Sequence, residues 1–282
     1  MKIPDYEYSK DYAFIREMQG SGLSIARAMG LPSSTVFHLE KGDVTPNLST
    51  LESLYSYIYE SGYRLNQSKE EIFREQGREL ILFHGSKWGL KKVAEDGSRQ
   101  NCDLGSGLYL GESYHAAASF VYEIPSSSVY AFSADLTGLN VVELNCDLTW
   151  MLLVCLFRGN LGQYQNHPLV LEAVAKIKEA DVIIAPIADN RMYYVMGLFA
   201  KGEITDEQAL HCLAASRLGK QYVFKTQKGL NALRCLERFY LCLNERNDFA
   251  KEGVEHTKYI ETKLSLAKRE YRGKGRFIDE IL

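Results

Sequence analysis

Apolar residues recur every three or four positions over residues 12–66, and this period predicts a run of short amphipathic helices. Ser21 is predicted to cap the first helix of a pair, and Gly30 to end it in the left-handed conformation that closes many helices. The second helix of the pair is predicted over 33–41 and stops at Gly42. The positions expected to face the helical core are Ile25, Ala26, Met29, Val36 and Leu39.

A third helix is predicted after the segment "DVTPN". It begins with Ser49-Thr50-Leu51-Glu52, in which a serine hydroxyl and a glutamate three residues later have the spacing of a capping box. The helical sequence "LESLYSYIYESG" is predicted to bury Leu51, Leu54 and Ile58 and to end at Gly62.

From residue 79 the pattern changes to short apolar runs between helical segments, which predicts a mixed region of strands and helices. The predicted strands cover 79–84, 107–110, 128–135, 140–145, 181–185 and 221–226. The predicted helices cover 113–122, 147–157, 167–179, 191–201, 205–216 and 228–242. Thr205 and Gln208 form a predicted capping box. A last helix is predicted over 245–273, either packed on the domain or solvated.

Composition narrows the class of protein. The chain has 282 residues, of which 46% are hydrophobic, enough for a folded core in one or two domains. Its net charge of -3 argues against a protein that binds polyanions over its whole surface. The N-terminal sequence "MKIPDYEYSKDYAF" lacks the apolar core of a signal peptide, and no run reaches the ~20 apolar residues of a membrane span.

The cysteines and histidines predict no metal site. The six cysteines form no CxxC pair and no cluster with histidine, which argues against structural zinc and against a disulfide scaffold. The sequence therefore predicts reduced, mostly buried thiols in a cytoplasmic protein. The cysteines are Cys102, Cys146, Cys155, Cys212, Cys235 and Cys242.

The helix pair around Gly30 has the layout of a helix-turn-helix. The segment "GSGLSIARAMGLPSSTVFHLEKGDVTPNLSTLESL" resembles the Xre/Cro-type DNA-binding domain over nearly all of residues 12–66. Residues 1–66 carry six Lys/Arg against eight Asp/Glu, and phosphate contacts usually dominate affinity for DNA. DNA binding as a dimer and docking on an antitoxin or regulatory protein are both open. The resemblance implies that the residues facing the major groove are Ser33, Ser34, Thr35, Phe37 and His38.

Four segments of the mixed region carry candidate chemistry. In "LILFHGSKWGL" a buried strand ends at His84-Gly85-Ser86, which suits either an ordinary turn or a rigid ligand site. The second segment, "NCDLGSGLYLGES", is a glycine-rich turn before a strand. In the third, "DVIIAPIADNRMYYV", a buried strand is followed by polar Asp189-Asn190-Arg191. In the fourth, "GKQYVFKT", Gln221 opens an alternating strand.

The order and spacing of these segments resemble the ADP-ribosyltransferase superfamily on its His-Tyr-Glu branch. The nearest likeness is a little-characterised bacterial family recognised by HGS, DxGxGxY, IADxR and QxxFxT elements, and it covers about residues 79–240. The resemblance implies an α+β protein: an all-α helix-turn-helix domain, then a split β-sheet domain with peripheral helices that holds NAD. The implied domains are 1–66, a connector at 67–78, the ADP-ribosyltransferase-like domain at 79–244, and a C-terminal helix or tail at 245–282.

Roles in a nucleotide site follow from this resemblance. It implies that His84 hydrogen-bonds a ribose hydroxyl of the adenosine half and that Gly85 binds the nicotinamide carboxamide through its backbone. It further implies that Tyr109 stacks on the nicotinamide ring. Phe120 and Ala117 stand where the branch often has a second stacking tyrosine and a hydrogen-bonding serine.

Four further residues complete the candidate nucleotide site. Asp189-Asn190-Arg191 suits either a structural turn with a helix cap or a functional role, in which Arg191 meets the pyrophosphate through the bidentate geometry of its guanidinium. Ser86 and Gly107 belong to the same site through the HGS and glycine-rich elements. Asp103 is expected to brace the turn at Gly105.

Gln221 stands where the branch has its catalytic glutamate. Cleavage of the nicotinamide–ribose bond leaves an oxocarbenium-like ribose, which a nearby carboxylate stabilises. An amide brings no charge, and at an effective dielectric of ~20 the loss of a close charge is expected to lower this stabilisation by a few kcal/mol. Two functions are therefore open. One is an NAD-dependent ADP-ribosyltransferase acting as a toxin or phage-defence effector, and the other is a transcription regulator whose inactive C-terminal domain senses NAD or ADP-ribose.

Overall fold

The computed structural model of the protein describes residues 2–77, 79–94, 102–188, 190–214 and 219–282, and over them the architecture is α+β. The strands are β1 (Leu80–Ser86), β2 (Leu108–Gly111), β3 (Ser128–Ala134), β4 (Val141–Glu143), β5 (Val182–Pro186), β6 (Lys220–Phe224) and β7 (Leu233–Tyr240). The helices are α1 (Tyr8–Gln19), α2 (Gly22–Ala28), α3 (Ser33–Lys41), α4 (Leu48–Glu60), α5 (Leu65–Gln76), α6 (Tyr114–Ala118), α7 (Leu148–Phe157), α8 (Pro168–Ile177), α9 (Asn190–Ala200), α10 (Asp206–Leu213), α11 (Gln227–Asn231), α12 (Leu243–Glu270) and α13 (Ile278–Ile281). None of the helices in these ranges is long and apolar enough to cross a membrane.

The chain divides into two compact units, each built from several segments. The first unit comprises Met1–Lys92, Ser113–Ser133 and Arg234–Glu252, and the second comprises Val93–Glu112, Ala134–Leu233 and Gly253–Leu282. The first therefore holds α1–α6 with β1, β3 and β7, and the second holds β2 and β4–β6 with α7–α11 and α13.

In the first unit the strands run in the order β1-β3-β7, and the N-terminal helices share a core with the end of β7. Tyr240 and Cys242 are buried in the same cluster as the core residues of α1–α4. A buried ion pair adds to this contact, since the ammonium of Lys69 lies 2.6 Å from Asp11 and 2.5 Å from Glu237 of β7. The N-terminal helices are thus packed against a strand of their own unit and are not joined to it by a linker alone.

In the second unit the strands run in the order β4-β5-β6-β2, with β4 and β5 parallel and the other neighbours antiparallel. The register places Gln221 of β6 opposite Gly111 of β2 and Ala185 of β5. Tyr109 lies opposite Val223 in the same ladder. Because alternate residues of a strand share a face, Gln221, Val223 and Tyr109 lie on one face of this sheet.

Most local predictions are confirmed. The six predicted strands correspond to β1–β6, and α2, α3 and α4 bury the core residues expected of them. Gly42 ends α3 with a left-handed φ of 65°, and Thr205 with Gln208 forms the predicted capping box of α10. Ser21 stands at the N-cap of α2, but its hydroxyl makes no capping bond. The last part of the helix predicted at 205–216 lies outside the described residues.

The capping box predicted at Ser49 is wrong. Asn47 caps α4 instead, its side-chain oxygen accepting from Thr50 N at 2.9 Å, and Ser49 donates to the same oxygen. Glu52 is used elsewhere, since it accepts from the Tyr240 hydroxyl at 3.0 Å and from Leu243 N at 2.7 Å. The Glu52 carboxylate therefore binds residues distant in the sequence instead of the backbone at the start of α4.

The helix predicted over 228–242 is also wrong in its larger part. Only α11 is helical there, and β7 follows it directly. β7 is hydrogen-bonded to β3, and Phe239 packs with Phe83 and Val129 in one buried cluster. Pairing with a strand some hundred residues earlier outweighed the helical spacing of the apolar residues.

Candidate functional site

The end of β1 carries the predicted His84-Gly85-Ser86 element in the first unit, and all three residues are half-buried. A Cβ added at Gly85 would lie 2.3 Å from the carbonyl oxygen of Ala117 in α6 and 3.0 Å from Val121. Close packing of α6 on the strand therefore requires glycine at this position, whether or not a ligand is bound. The β1 strand thus places the imidazole of His84 beside a bare, tightly packed backbone.

Helix α6 supports this element within the same unit. Ser113 caps it by accepting from Ala116 N at 3.0 Å. Ala117 is buried with its carbonyl facing Gly85, so a larger side chain has little room there. Phe120, just past the helix, is 43% exposed, which leaves its ring available for a contact.

In the second unit, two glycines shape the turn before β2. Gly105 has a left-handed φ of +82°, and a Cβ there would lie 2.9 Å from the ring of Phe157. A Cβ at Gly107 would lie 2.8 Å from Val223 and 3.0 Å from the carbonyl of Phe224. Both positions exclude a side chain, so the glycine-rich element has a packing reason of its own.

Tyr109 holds the same turn through its hydroxyl. The hydroxyl accepts from Leu104 N at 3.0 Å and donates to the carbonyl of Gly105 at 2.6 Å. Burial raises the pKa of this phenol well above its ordinary value, so it stays neutral. The stacking on nicotinamide expected of Tyr109 would use the ring, because the hydroxyl is engaged.

The ammonium of Lys225, just past β6, fixes the turn from another side. It donates to the carbonyl of Leu104 at 2.8 Å, and burial lowers its pKa. The backbone of residues 104–105 is therefore held by Tyr109 and Lys225 together. A turn anchored at so many points can support a precisely placed side chain next to it.

That side chain is Asp103, a buried carboxylate that accepts four hydrogen bonds from residues that the structure describes. Its Oδ1 accepts from Arg158 Nε at 3.1 Å, from Arg158 Nη2 at 2.8 Å and from the Tyr193 hydroxyl. Its Oδ2 accepts from Gln221 Nε2 at 3.2 Å. Asp103 therefore does more than brace the turn at Gly105: it links the turn to the strand that carries Gln221.

Arg158 and Tyr193 are the site residues that sequence reasoning missed. The guanidinium of Arg158 stacks 3.8 Å from the ring centroid of Tyr193, and both bind the same carboxylate oxygen. Burial, with the nearby Asp103 carboxylate, raises the pKa of the Tyr193 phenol. Tyr193 lies two positions past the IADxR element and Arg158 lies in none of the four segments, and nothing in the local sequence links either residue to Asp103.

The surroundings of Gln221 fix the orientation of its amide. Gln221 is buried, and its Nε2 donates to Asp103 Oδ2 and, at 2.9 Å, to the carbonyl of Pro186. Both partners are acceptors only, so the NH2 group must face them. The Oε1 atom is then directed away from them, and it can only accept a hydrogen bond. The site thus presents an oriented acceptor that is backed by a carboxylate.

The predicted DNA-contacting residues lie on α3 in the first unit. Ser33, Ser34, Phe37 and His38 are exposed, and Thr35 is half-buried. His38 Nδ1 lies 2.8 Å from Asp43, and this contact lowers the pKa of the Asp43 carboxyl. The ammonium of Lys41 lies 4.3 Å from the ring centroid of Phe37.

Part of the third element falls outside the structural description. Asp189 lies outside the described residues, and so does the side chain of Arg191, whose backbone belongs to the first turn of α9. Within the described part of the chain, no three histidine, cysteine, aspartate or glutamate side chains are grouped as metal ligands would be.

Comparison with known proteins gives one family. The sequence model of a family described as "Protein of unknown function (DUF3990)" matches residues 80–235, which is more than half of the chain. The match spans β1 to the start of β7 and so includes His84, Tyr109 and Gln221. Neither a curated protein nor a solved structure matches the sequence.

Proposed function

The chain belongs to the DUF3990 family of proteins of unknown function, and we propose that it is an NAD-dependent ADP-ribosyltransferase with an N-terminal helix-turn-helix for DNA or a protein partner. One observation carries the proposal. It is the buried amide of Gln221, whose NH2 group is held by Asp103 and Pro186 so that its oxygen serves as an acceptor. We infer NAD as the ligand from the resemblance of the four motifs. The orientation of the Gln221 amide suits a hydrogen-bond acceptor next to that ligand.

The chemistry requires an acceptor next to the ribose that loses nicotinamide. The bond between ribose C1′ and the nicotinamide nitrogen breaks, and its electron pair leaves with nicotinamide. An acceptor nucleophile then forms a bond to C1′, and its proton passes to water. We assign Gln221 Oε1 to accept a hydrogen bond from a hydroxyl of this ribose, which orients the sugar as positive charge develops on it.

Asp103 makes the amide a better acceptor than an isolated one. An N–H that donates to a carboxylate polarises its own amide and shifts electron density towards the amide oxygen. The carboxylate oxygen is 3.2 Å from Gln221 Nε2, in a buried setting where such polarisation is weakly screened. Arg158 pairs with the Asp103 carboxylate at 2.8 Å and neutralises part of its charge. Gln221 and Asp103 together thus replace part of what a single glutamate would do.

Under this proposal the remaining predicted residues bind NAD. His84 and Gly85 take the adenosine ribose and the nicotinamide carboxamide, and the ring of Tyr109 takes the nicotinamide. Phe120 offers a second ring, and its exposure supports that role.

NAD is expected to bind and to stabilise the fold, by ~2.7 kcal/mol at a hundredfold excess over Kd. His84→Ala and Tyr109→Ala should each reduce this gain, because each removes a proposed contact. The measurement is thermal unfolding with increasing NAD or ADP-ribose, together with nicotinamide release. His115→Ala is the matched control, since this exposed histidine pairs with Glu252 and contacts the ring of Phe249. An unfolding curve that millimolar NAD leaves unmoved would remove the premise of the proposal.

DNA binding by α3 is expected to be sequence-dependent and to weaken steeply with salt. Ser34→Ala combined with His38→Ala should relax sequence preference more than total affinity, because these side chains are assigned to base edges. Selection from a random duplex pool, with the wild type and the variant, measures both effects. Ser119→Ala combined with His115→Ala makes the same changes on another surface and should alter neither. If the wild type selects no sequence, the helix-turn-helix is a docking module for a protein.

A further inference from the structure

A tryptophan projects from the loop that follows β1. The side chain of Trp88 is 77% exposed, whereas Trp150, the other tryptophan of the chain, is fully buried. Tryptophan is usually largely buried because its ring carries a large apolar area. A single exposed apolar residue is nevertheless ordinary on a protein surface, so the surroundings of Trp88 decide what it means.

Hydrogen bonds hold the backbone of the loop on both sides of Trp88. Ser126 Oγ donates to the carbonyl of Lys87 at 3.1 Å, and Leu90 N donates to the hydroxyl of Tyr130 at 2.9 Å. Gly89 between them has a left-handed φ of +79°. The backbone on either side of Trp88 is therefore fixed while the ring stays in solvent. Because this backbone is already ordered, little backbone entropy is lost when the ring binds a partner.

Lysines flank Trp88 along the chain. Residues 80–94 contain three lysines and no acidic residue, and Lys91 and Lys92 are exposed while Lys87 is half-buried. Within the described residues none of the three has a carboxylate partner. Arg238 adds a cation beneath the loop, since its Nη2 would lie 3.4 Å from a Cβ at Gly89. Glu95 and Asp96, which come next, lie outside the described residues.

We propose that Trp88 with Lys87, Lys91 and Lys92 is a binding surface for single-stranded nucleic acid, and that this nucleic acid is the acceptor of ADP-ribose. An aromatic ring flanked by cations suits such a strand, because every base stacks on a π face and each phosphate attracts an ammonium. A membrane surface would need a wider apolar face, and the neighbouring Leu90 is half-buried. Binding needs no transferase activity, whereas the acceptor role rests on the proposed function.

The loop begins next to the residues assigned to NAD, since Trp88 follows Ser86 by two positions. A strand held there thus lies next to the end of β1, where His84 and Gly85 are assigned to NAD. In the transfer, an oxygen or ring nitrogen of the nucleic acid bonds to ribose C1′ as nicotinamide leaves with the electron pair. The proton of the acceptor passes to water.

Intrinsic fluorescence gives a direct test, because Trp88 is the exposed tryptophan and Trp150 is shielded. Single-stranded RNA and DNA oligonucleotides of about 12 nucleotides are titrated into the full chain. We expect the Trp88 fluorescence to be quenched to a plateau. The oligonucleotide that binds with the lower Kd, RNA or DNA, identifies the preferred nucleic acid. With three phosphate contacts, the slope of log K against log salt should be about -2. Vesicles of phosphatidylcholine and phosphatidylserine that quench Trp88 when neither oligonucleotide does would overturn the proposal.

Variants then assign the binding to this surface by fluorescence polarisation of labelled oligonucleotides. Trp88→Ala should weaken Kd about tenfold and Trp88→Phe much less, because phenylalanine keeps a stacking ring. Replacing the three loop lysines by glutamine should bring the salt slope close to zero. The same charge removed from α12 should leave both unchanged; the control variant carries Lys251→Gln, Lys258→Gln and Lys268→Gln.

Transfer of label from NAD to the oligonucleotide separates this inference from the proposed function. Trp88→Ala should lose the transfer and keep nicotinamide release to water, since Trp88 has no part in breaking the glycosidic bond. Oligonucleotide binding without any nicotinamide release by wild type would refute the transferase and the acceptor role while the binding surface stands. Nicotinamide release with no quenching by either oligonucleotide would refute the surface alone.

Discussion

The Gln221→Glu variant is expected to release nicotinamide from NAD more slowly than the wild type at neutral pH. The position faces two acceptors, Asp103 Oδ2 at 3.2 Å and the carbonyl of Pro186 at 2.9 Å from Gln221 Nε2. A carboxylate there would meet a second carboxylate and a carbonyl, so its pKa should rise and it should stay protonated. Gln221→Glu should therefore lower nicotinamide release about tenfold or more at about pH 7, and release should recover as the pH rises.

Asp103→Asn should rescue the glutamate variant in part. The asparagine oxygen can still accept from Arg158 and Tyr193, and its NH2 group can donate to Glu at position 221. The same Asp103→Asn change in wild type should be harmful, because two NH2 groups would then face each other. The measurement is nicotinamide release against pH for wild type, both single variants and the double variant, with the coupling free energy taken from the cycle.

Gln221→Ala is expected to have the lowest rate of nicotinamide release among these variants. It should lower release about a hundredfold with little change in NAD affinity, because the hydrogen bond to the ribose matters chiefly in the transition state. Undiminished turnover in Gln221→Ala, or a Gln221→Glu variant as fast as wild type at neutral pH, would contradict the role assigned to Gln221. A wild type that releases no nicotinamide with any acceptor, but binds NAD, would favour the sensor. The Asp103–Gln221 coupling would then still be measurable in thermal unfolding.

The second large effect is expected at Glu245, near the start of α12 in the first unit. Burial raises the pKa of this carboxyl from an ordinary value near 4.5 to about 7, although Tyr114 and Asn66 donate hydrogen bonds to it at 2.9 and 3.0 Å. Arg64 lowers this pKa by its charge and Asp248 raises it. The stability gained from the neutral form is fully present below about pH 4.5 and is lost as the pH rises through about 7. The shift corresponds to about 3 kcal/mol.

Glu245→Gln should remove this pH dependence, because the amide keeps the size of the side chain and cannot ionise. The difference in free energy of unfolding between variant and wild type should move in favour of the variant by about 3 kcal/mol from about pH 4.5 to about pH 8. Denaturant unfolding at several pH values measures it. Glu255→Gln, on the exposed face of the same helix, should show no such trend. A difference that is flat with pH would mean that Glu245 ionises normally in the folded protein.

A small pocket beside Glu245 is lined by polar side chains from several elements of the first unit. Tyr59, Tyr63, Asn66 and Tyr240 line it together with the carboxyl. The side-chain oxygen of Asn66 is buried there without a hydrogen-bond partner among the described residues. Such a group is costly unless a water fills the pocket, so this core is sensitive to small changes in polarity.

Local sequence determined the parts of this protein whose partners lie within one helical turn or one strand. The glycine that ends α3, the capping box of α10 and the apolar stripes of α2–α4 are of this kind, as are the apolar runs that became β1–β6. The position of Gln221 at the start of a strand was also visible from alternation and order alone. In each case the physical cause, a cap, a period or a run, is contained in a few adjacent residues.

Tertiary structure alone determined those features in which contacts with distant residues outweigh the local sequence pattern. The apolar residues of 233–240 suit a helix locally and became a strand because β3 was there to pair with them. Glu52 left the helix start because Tyr240 and Leu243 bind it. Asp103 meets Arg158, Tyr193 and Gln221, which follow it by 55, 90 and 118 positions. No local pattern holds such a network, since its free energy arises only when folding removes the groups from water together, and it is this network that orients the amide of Gln221.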